Sequence, residues 1–389
     1  MHLGKCGRYN PAMFHDLFLG KKVFLTGHTG FKGCWLATWL VSLGAKVCGY
    51  ALSPEPHELL YRQLDLKARL DQEVFGDIRD PQRLKAAMVS FEPDYVFHLA
   101  AQPLVRASYV KPRDTFEINV MGTVNVLESL VGTSKPCSVV VVTTDKCYEN
   151  KEWLHAYREE DPVGGYDPYS ASKGCAELVT SAYRRSFFTS EKSQVRISSA
   201  RAGNVIGGGD WALDRIVPDV MRSVFGNVPV AVRNKRSTRP WQHVLEPLSG
   251  YLTLAAHLSQ PKLTEYSESL LASAFNFGPE LEGNRSVVEL VEQLLVHTGG
   301  SWIDASMPNE PHEASKLNLS IDKAYHILGW KPTWSFARSV EQTAIWYRNV
   351  QDGMDSVLAT RQCLERYLQD AKQMAQPWAL DRRGQLAIS

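Results

Sequence analysis

From Lys22 onward the chain alternates short apolar runs with longer stretches whose apolar positions recur every three or four residues. Val23-Phe24-Leu25 predicts a buried strand, Trp35 to Leu43 an amphipathic helix and Ala45 to Tyr50 a second strand, with Gly27 to Gly33 as the first turn. The alternation continues through a strand ending at Val74 to Asp77, a helix from Pro81 to Ser90 and a strand from Tyr95 to Leu99. A long helix around Thr115 to Leu130, a strand Ser138 to Thr143, a helix from Tyr169 to Phe188 and a strand Gln194 to Arg201 complete the series. Strands joined by crossover helices predict an α/β chain built on a doubly wound parallel sheet.

After Arg201 the texture changes. Gly207-Gly208-Gly209, Trp211, Pro218, Pro229 and Pro240 interrupt shorter elements, Phe275 to Pro279 reads as a late strand returning to the sheet, and helical stretches follow from Ser286. The expected organisation is an N-terminal extension at 1–20 and a sheet domain at 21–200 with a returning segment at 240–280. A smaller mixed α/β C-terminal domain would take 201–239 and 281–375, and a tail 376–389.

Hydrophobic residues are 44% and charged residues 22% of the 389, the composition of an ordinary globular protein. The 43 basic and 42 acidic residues leave a formal charge of +1 and are interleaved, which argues against a nucleic-acid surface. An anionic ligand must therefore be held by a few placed Arg or Lys residues and by backbone amides. The seven cysteines are irregularly spaced with no CxxC pair, so they read as free thiols, and no metal site is expected. The apolar run Val139 to Val142 is far shorter than the roughly 20 residues of a membrane helix. No membrane partner and a cytoplasmic location are the expectations.

Gly27, Gly30 and Gly33 stand at a GxxGxxG spacing between a strand and a helix. Such a turn brings backbone close to a pyrophosphate at a helix N-terminus, which points to a Rossmann-type dinucleotide site, although an ordinary βα turn uses the same residues. Thr29, Phe31 and Lys32 fill the turn. Asp77 and Ile78 end one strand with a carboxylate suited to an adenine amino group, and Leu99, Ala100, Ala101 and Gln102 follow another with small residues that let a ligand pass. Tyr50-Ala51-Leu52-Ser53 lacks the acid that usually holds the adenosine ribose, and the next acid is Glu55. No Arg stands there for a 2′-phosphate, so the expected cofactor is NAD, with a loose grip on its ribose.

Tyr169 and Lys173 lie four residues apart on a helix and share one face. A phenol with a reference pKa near ~10 becomes a base beside an ammonium and a cationic nicotinamide. The strand before it ends in Thr143-Thr144-Asp145-Lys146, at the sheet edge where open α/β folds bind ligands. Thr144 can share a substrate proton with Tyr169. Asp145 and Lys146 read either as a solvated charge pair or as paired acid and base.

Taken together, Thr26 to Gly33, His98 to Gln102, Thr143 to Asn150, Gly164 to Lys173, Arg201 to Trp211 and Arg239 to Val244 resemble the CDP-glucose 4,6-dehydratases of the extended short-chain dehydrogenase/reductase family. The resemblance spans Lys21 to Pro332 and is sharpest at Lys146, where the related dTDP-glucose dehydratases carry Glu. It implies a nucleotide-sugar substrate, CDP-glucose, in deoxysugar and O-antigen biosynthesis. C4 would be oxidised through NAD, water eliminated across C5 and C6, and the hydride returned to C6. By similarity Tyr169 is the base in oxidation, aided by Lys173 and Thr144. Asp145 protonates the departing C6 hydroxyl and Lys146 acts at C5, either as the base or in support of another group. The resemblance also implies that Thr143, Tyr169 and Lys173 touch the cofactor and that Asn204, Arg215 and Arg239 join Thr144 and Asp145 around the substrate. Related enzymes pair their long helices across a dimer, so a homodimer or homotetramer is expected.

Two other readings share this sequence. A nucleotide-sugar 4-epimerase needs the Tyr/Lys pair but no acid for elimination, and a non-catalytic NAD-binding regulator needs neither. Asp145-Lys146 argues against the first and Tyr169/Lys173 against the second.

Overall fold

Seven strands form one sheet: β1 (Lys22–Thr26), β2 (Lys46–Ala51), β3 (Gln72–Phe75), β4 (Tyr95–His98), β5 (Cys137–Val142), β6 (Val195–Ala202) and β7 (Ala274–Phe277). They are seen in a computed structural model that describes residues 13–55, 59–213, 215–260, 266–306 and 316–380. Every pairing is parallel, in the order β7-β6-β5-β4-β1-β2-β3. The chain winds outward from β1 in one direction and from β4 in the other. The crevice at that reversal, beyond the strands' carboxyl ends, is where such a sheet binds ligands.

The apolar runs are continuous because both faces are covered. Val23 and Leu25 of β1 enter one core with Trp35, Leu36 and Leu40 of the helix Phe31–Ser42 and Leu248 and Leu252 of the helix Leu245–Ser259. Phe24 points the other way, into a second core with Leu84 and Met88 of the helix Pro81–Phe91 and Val126 and Leu127 of the helix Gly122–Glu128. Period-2 alternation along buried strands is what a sheet with helices on both sides requires.

The long helix expected around Thr115 to Leu130 is broken. It runs as Pro112–Phe116, a π-helical turn Glu117–Met121, and Gly122–Glu128. The π turn holds buried Asn119, whose amide donates to Gln102 O at 3.1 Å and Ser172 Oγ at 2.8 Å. A π turn inside an α-helix is frequently placed at a functional site.

Segments after β6 cross to the smaller elements through three short strand pairs: Val205–Ile206 with Gln242–His243, Thr238–Pro240 with Asn284–Ser286, and Val230–Val232 with Trp302–Asp304. The late strand returns as β7 beside β6. At the expected extension, Phe14 and Phe18 are buried in the first core. At the head of the expected tail, Trp378 is buried and stacks on Phe14 with centroids 5.2 Å apart. Among the described residues no helix is long and apolar enough to cross a membrane, no cluster of His, Cys, Asp and Glu is fit for a metal, and no disulfide forms.

Candidate active site

One cavity of about 580 Å³ runs from the glycine turn across the ends of β1, β4 and β5 to the segments after β6. Its entrance end is dictated by backbone geometry. Gly27 has φ +77°, and a Cβ there would stand 2.8 Å from Ala100 N; a Cβ on Gly33 would stand 2.0 Å from Gly27 O. Side chains at either position would push the turn off the sheet. Gly30 caps the helix Phe31–Ser42 without a side-chain acceptor, leaving the first-turn N–H groups to a ligand. Thr29, Phe31, Lys32, Asp77, Ile78, Leu99, Ala100 and Ala101 join the wall, as do Leu52, Ser53 and Glu55 where the ribose acid is missing. These features fit an elongated dinucleotide diphosphate.

Two of the expected cofactor contacts have polar partners within the chain. Gln102 is absent from the cavity wall: its amide group donates to Leu104 O at 3.1 Å and Thr115 Oγ1 at 2.9 Å, while its Oε1 accepts from Leu104 N. It shapes the chain after β4, having spent its polar atoms locally. Asp77 lines the cavity but its carboxylate is forked by the Arg79 guanidinium, 2.6 Å at the closest, and accepts Arg79 N–H. Those hydrogen bonds hold it below the usual Asp range.

At the inner end the helix Pro168–Ser186 begins where Asp167 accepts Ser170 N–H, with Pro168 in its first turn. Its buried face presents Tyr169, Lys173 and Glu177 at successive i, i+4 steps. Tyr169 and Lys173 line the cavity, and Lys173 Nζ donates to Val142 O at 3.2 Å. Burial pulls the Lys173 ammonium down to about 8, with the Glu177 charge opposing. Burial pushes the Tyr169 phenol well above its ordinary value, against a hydrogen bond with the Thr144 side chain.

Thr144 ends β5. Its hydroxyl donates to Asp145 Oδ1 at 2.9 Å and accepts Lys146 N–H at 3.3 Å, capping the short turn Asp145–Cys147. Asp145 is only 1% exposed and lies one layer beneath the wall, its Oδ2 without a hydrogen-bond partner. Burial pushes its carboxyl up, opposed by Lys146, the Thr144 hydrogen bond, Arg239 and Lys32. Lys32 is itself pulled down to about 8 by burial, with the Asp145 charge opposing. The arrangement can keep a carboxylic acid protonated among cations that steady its conjugate base once the proton leaves.

Lys146, Asn204, Arg215 and Arg239 reach the same cavity. Arg215 Nη1 donates to Asp210 Oδ2 at 2.9 Å, and Arg239 is buried with Nη1 donating to Thr238 O. Trp241 fills core and lines the cavity at once, its indole N–H donating to Arg285 O. Thr143 lines the wall while its hydroxyl turns back to Glu177.

Behind β5 lies a network that reading the chain for motifs did not find. Glu177 accepts from Thr143, Ser199 Oγ at 2.7 Å and Arg201 Nη2 at 2.9 Å; Arg201 Nη1 donates to Tyr148 Oη, which donates to Asn276 Oδ1 at 2.7 Å. Burial pushes Glu177 up, but Arg201 and these hydrogen bonds outweigh it and hold the carboxylate ionised. One further helical step beyond Tyr169 and Lys173 would have pointed to Glu177. Gly203 was also missed: it lines the cavity directly over Asp145, where a Cβ would stand 2.8 Å from Oδ2.

Residues 24–343 match the family model described as GDP-mannose 4,6 dehydratase. The chain belongs to that family. Among curated relatives, the CDP-glucose 4,6-dehydratase of Salmonella typhimurium is 45% identical over 359 residues, 91% of this chain and 98% of that protein. The CDP-paratose 2-epimerase of Salmonella typhi is 25% identical, covering 85% of this chain and all of its own length. In fold, this family member superposes on the UDP-glucose 4-epimerase of Thermotoga maritima, solved with UDP-glucose, with a TM-score of 0.71 at 20% identity over 85% of this chain and 99% of that one. The dTDP-glucose 4,6-dehydratase of Bacillus anthracis, solved with NAD, gives 0.67 at 18% identity over 85% and 98% of the two chains.

Proposed function

We propose that the protein converts CDP-glucose to CDP-4-keto-6-deoxyglucose and water. When bound, NAD supplies a hydride acceptor for C4 and the donor that restores the same hydride at C6. The glycine turn and the amides of the helix Phe31–Ser42 would hold its diphosphate, and Tyr169 with Lys173, on the same cavity wall, would meet its nicotinamide end. Tyr169 takes the proton of the sugar's 4-hydroxyl, Lys173 keeps positive charge beneath it, and Thr144 orients that hydroxyl. The 4-keto group acidifies C5–H, Lys146 acts on the C5 side, and Asp145 delivers a proton to the departing 6-hydroxyl. Arg215 and Arg239 meet the sugar nucleotide's diphosphate, for which a planar guanidinium supplies paired donors.

The observation that carries this reading is Asp145, a buried carboxyl pushed upward beside Tyr169 and Thr144. Epimerisation at C4 needs no such acid, and a regulator needs neither the acid nor the base. The CDP moiety is taken from the Salmonella relative. Incubation with NAD and a panel of CDP-, dTDP-, UDP- and GDP-glucose tests it: CDP-glucose is expected to lose one water and gain a C6 methyl by NMR and mass, fastest of the four. Tyr169→Phe is expected to lower turnover by roughly 10²-fold or more. Epimerised sugar without water loss would overturn the dehydratase reading, and preference for another nucleotide would overturn the CDP assignment.

A further inference from the structure

The proton count of this reaction leaves the active site changed. In oxidation the O4–H bond breaks and its proton goes to Tyr169. In elimination the C5–H proton passes to a base, the C6–O bond breaks and Asp145 gives its proton to the leaving hydroxyl, forming water. When the hydride arrives at C6, the proton removed from C5 returns to C5. Electrons balance within the sugar, yet after one turnover Tyr169 has gained a proton and Asp145 has lost one.

The fold places one hydroxyl between these two groups. Thr144 Oγ1 donates to Asp145 Oδ1 at 2.9 Å and accepts Lys146 N–H at 3.3 Å, and its side chain lies within reach of the Tyr169 phenol. With its one hydrogen donated to Asp145, the Thr144 oxygen keeps a lone pair that can accept from the substrate's 4-hydroxyl or from the Tyr169 phenol in turn. All three side chains are buried: Tyr169 is 8% exposed, Thr144 7% and Asp145 1%. With Asp145 beneath the wall, bulk acid has poor access to it.

We propose that Thr144 is a proton relay that returns to Asp145 the proton Tyr169 has taken from the substrate, resetting the site without exchange with bulk solvent. This rests on the reading of Tyr169 as base and Asp145 as acid. The O–H bond of Tyr169 breaks as one forms on Thr144 Oγ1, while the Thr144 hydrogen passes to Asp145 Oδ1. Charge sets the direction: burial alone keeps the proton on the phenol, and the positive charge that bound NAD would supply near Tyr169 would lower the phenol's proton affinity and favour passing the proton onward.

The test compares Thr144→Val, which keeps shape without the hydroxyl, with Thr144→Ser, which restores it. Rapid-quench kinetics of the NAD-loaded Thr144→Val enzyme are expected to show a first turnover slowed by the lost contact to the 4-hydroxyl yet faster than those that follow, a burst of one product per site. Turnover then falls roughly 10²-fold and rises in proportion to buffer acid at constant pH and ionic strength. The wild type and Thr144→Ser are expected to show no buffer dependence. In the protein without dinucleotide, carbon-13 NMR of the Asp145 carboxyl should show its titration moving upward in Thr144→Val, because a hydrogen bond to the ionised form is lost. A Thr144→Val enzyme with neither burst nor buffer dependence, or an unmoved Asp145 titration, overturns the relay. Full turnover in Tyr169→Phe or Asp145→Asn instead overturns the underlying assignment of base and acid.

Discussion

A methyl group at residue 203 would stand 2.8 Å from Asp145 Oδ2 and 2.9 Å from Pro240 Cγ. Gly203→Ala is therefore expected to press on the acid's unpartnered oxygen while leaving the glycine turn and the Tyr169/Lys173 pair in place. Turnover should fall by roughly 10²-fold, the contribution of one positioned acid, with NAD affinity by titration unchanged. Unaltered turnover would mean that the proton reaches the sugar by another route. At this scale, spacing alone exposed Tyr169 and Lys173, since four residues make one helical step. It did not expose Asp145 as a buried group, because burial comes from Gly203, Pro240 and the wall above, all far away in the chain. The local ties of Gln102 were hidden for a similar reason: its neighbours Leu104 and Thr115 claim an amide that the motif alone presents as available.

The helix Leu245–Ser259 is joined to the chain's last helices by one carboxylate. Glu246 accepts N–H from Thr333 at 2.9 Å and Trp334 at 2.7 Å, and O–H from Tyr367 at 2.9 Å. Burial pushes it up to about 7 despite these bonds. A group raised on folding binds its proton more tightly in the native state, so its contribution is complete below the unfolded value of about 4.3 and is lost as pH rises through about 7. The loss is on the order of 3 kcal/mol. The melting temperature is expected to decline from about pH 5 to about pH 8, and Glu246→Gln, less stable in acid, is expected to lack most of that decline. Scanning calorimetry across the range checks the slope. Element identities here were legible from periodicity, but the π turn at Glu117–Met121 was not. An apolar pattern of period 3.6 looks alike through one wide turn, and the contacts that reward it, Asn119 with Gln102 and Ser172, join separate segments.

At the scale of the whole molecule, the two ends of the described chain meet on the helix Phe31–Ser42. Phe14, Trp39, Tyr367 and Trp378 form an aromatic cluster, with Phe14 stacked on Trp378 and both edge-on to Trp39. Phe14→Ala is expected to destabilise the protein by about 3–5 kcal/mol, as for other buried aromatics, while turnover at low temperature is retained. Chemical denaturation measures it, and a change under about 1 kcal/mol would show that residues before β1 do not brace the fold. By itself the sequence determined the strand–helix alternation, hence the parallel sheet, the glycine turn, and the spacing that puts Tyr169 and Lys173 on one face. Those are local properties, set by periodicity, sterics and distances of a few residues. Only the tertiary structure decided that Asp145 is buried with one oxygen unpartnered behind Gly203. It alone brought Thr144 to Tyr169, backed β5 with Glu177 and Arg201, and brought Phe14 to Trp378. Each of these depends on segments distant in the chain that meet only when the sheet closes over its cores, and desolvation, which sets the proton affinities of the site, exists only after that closure.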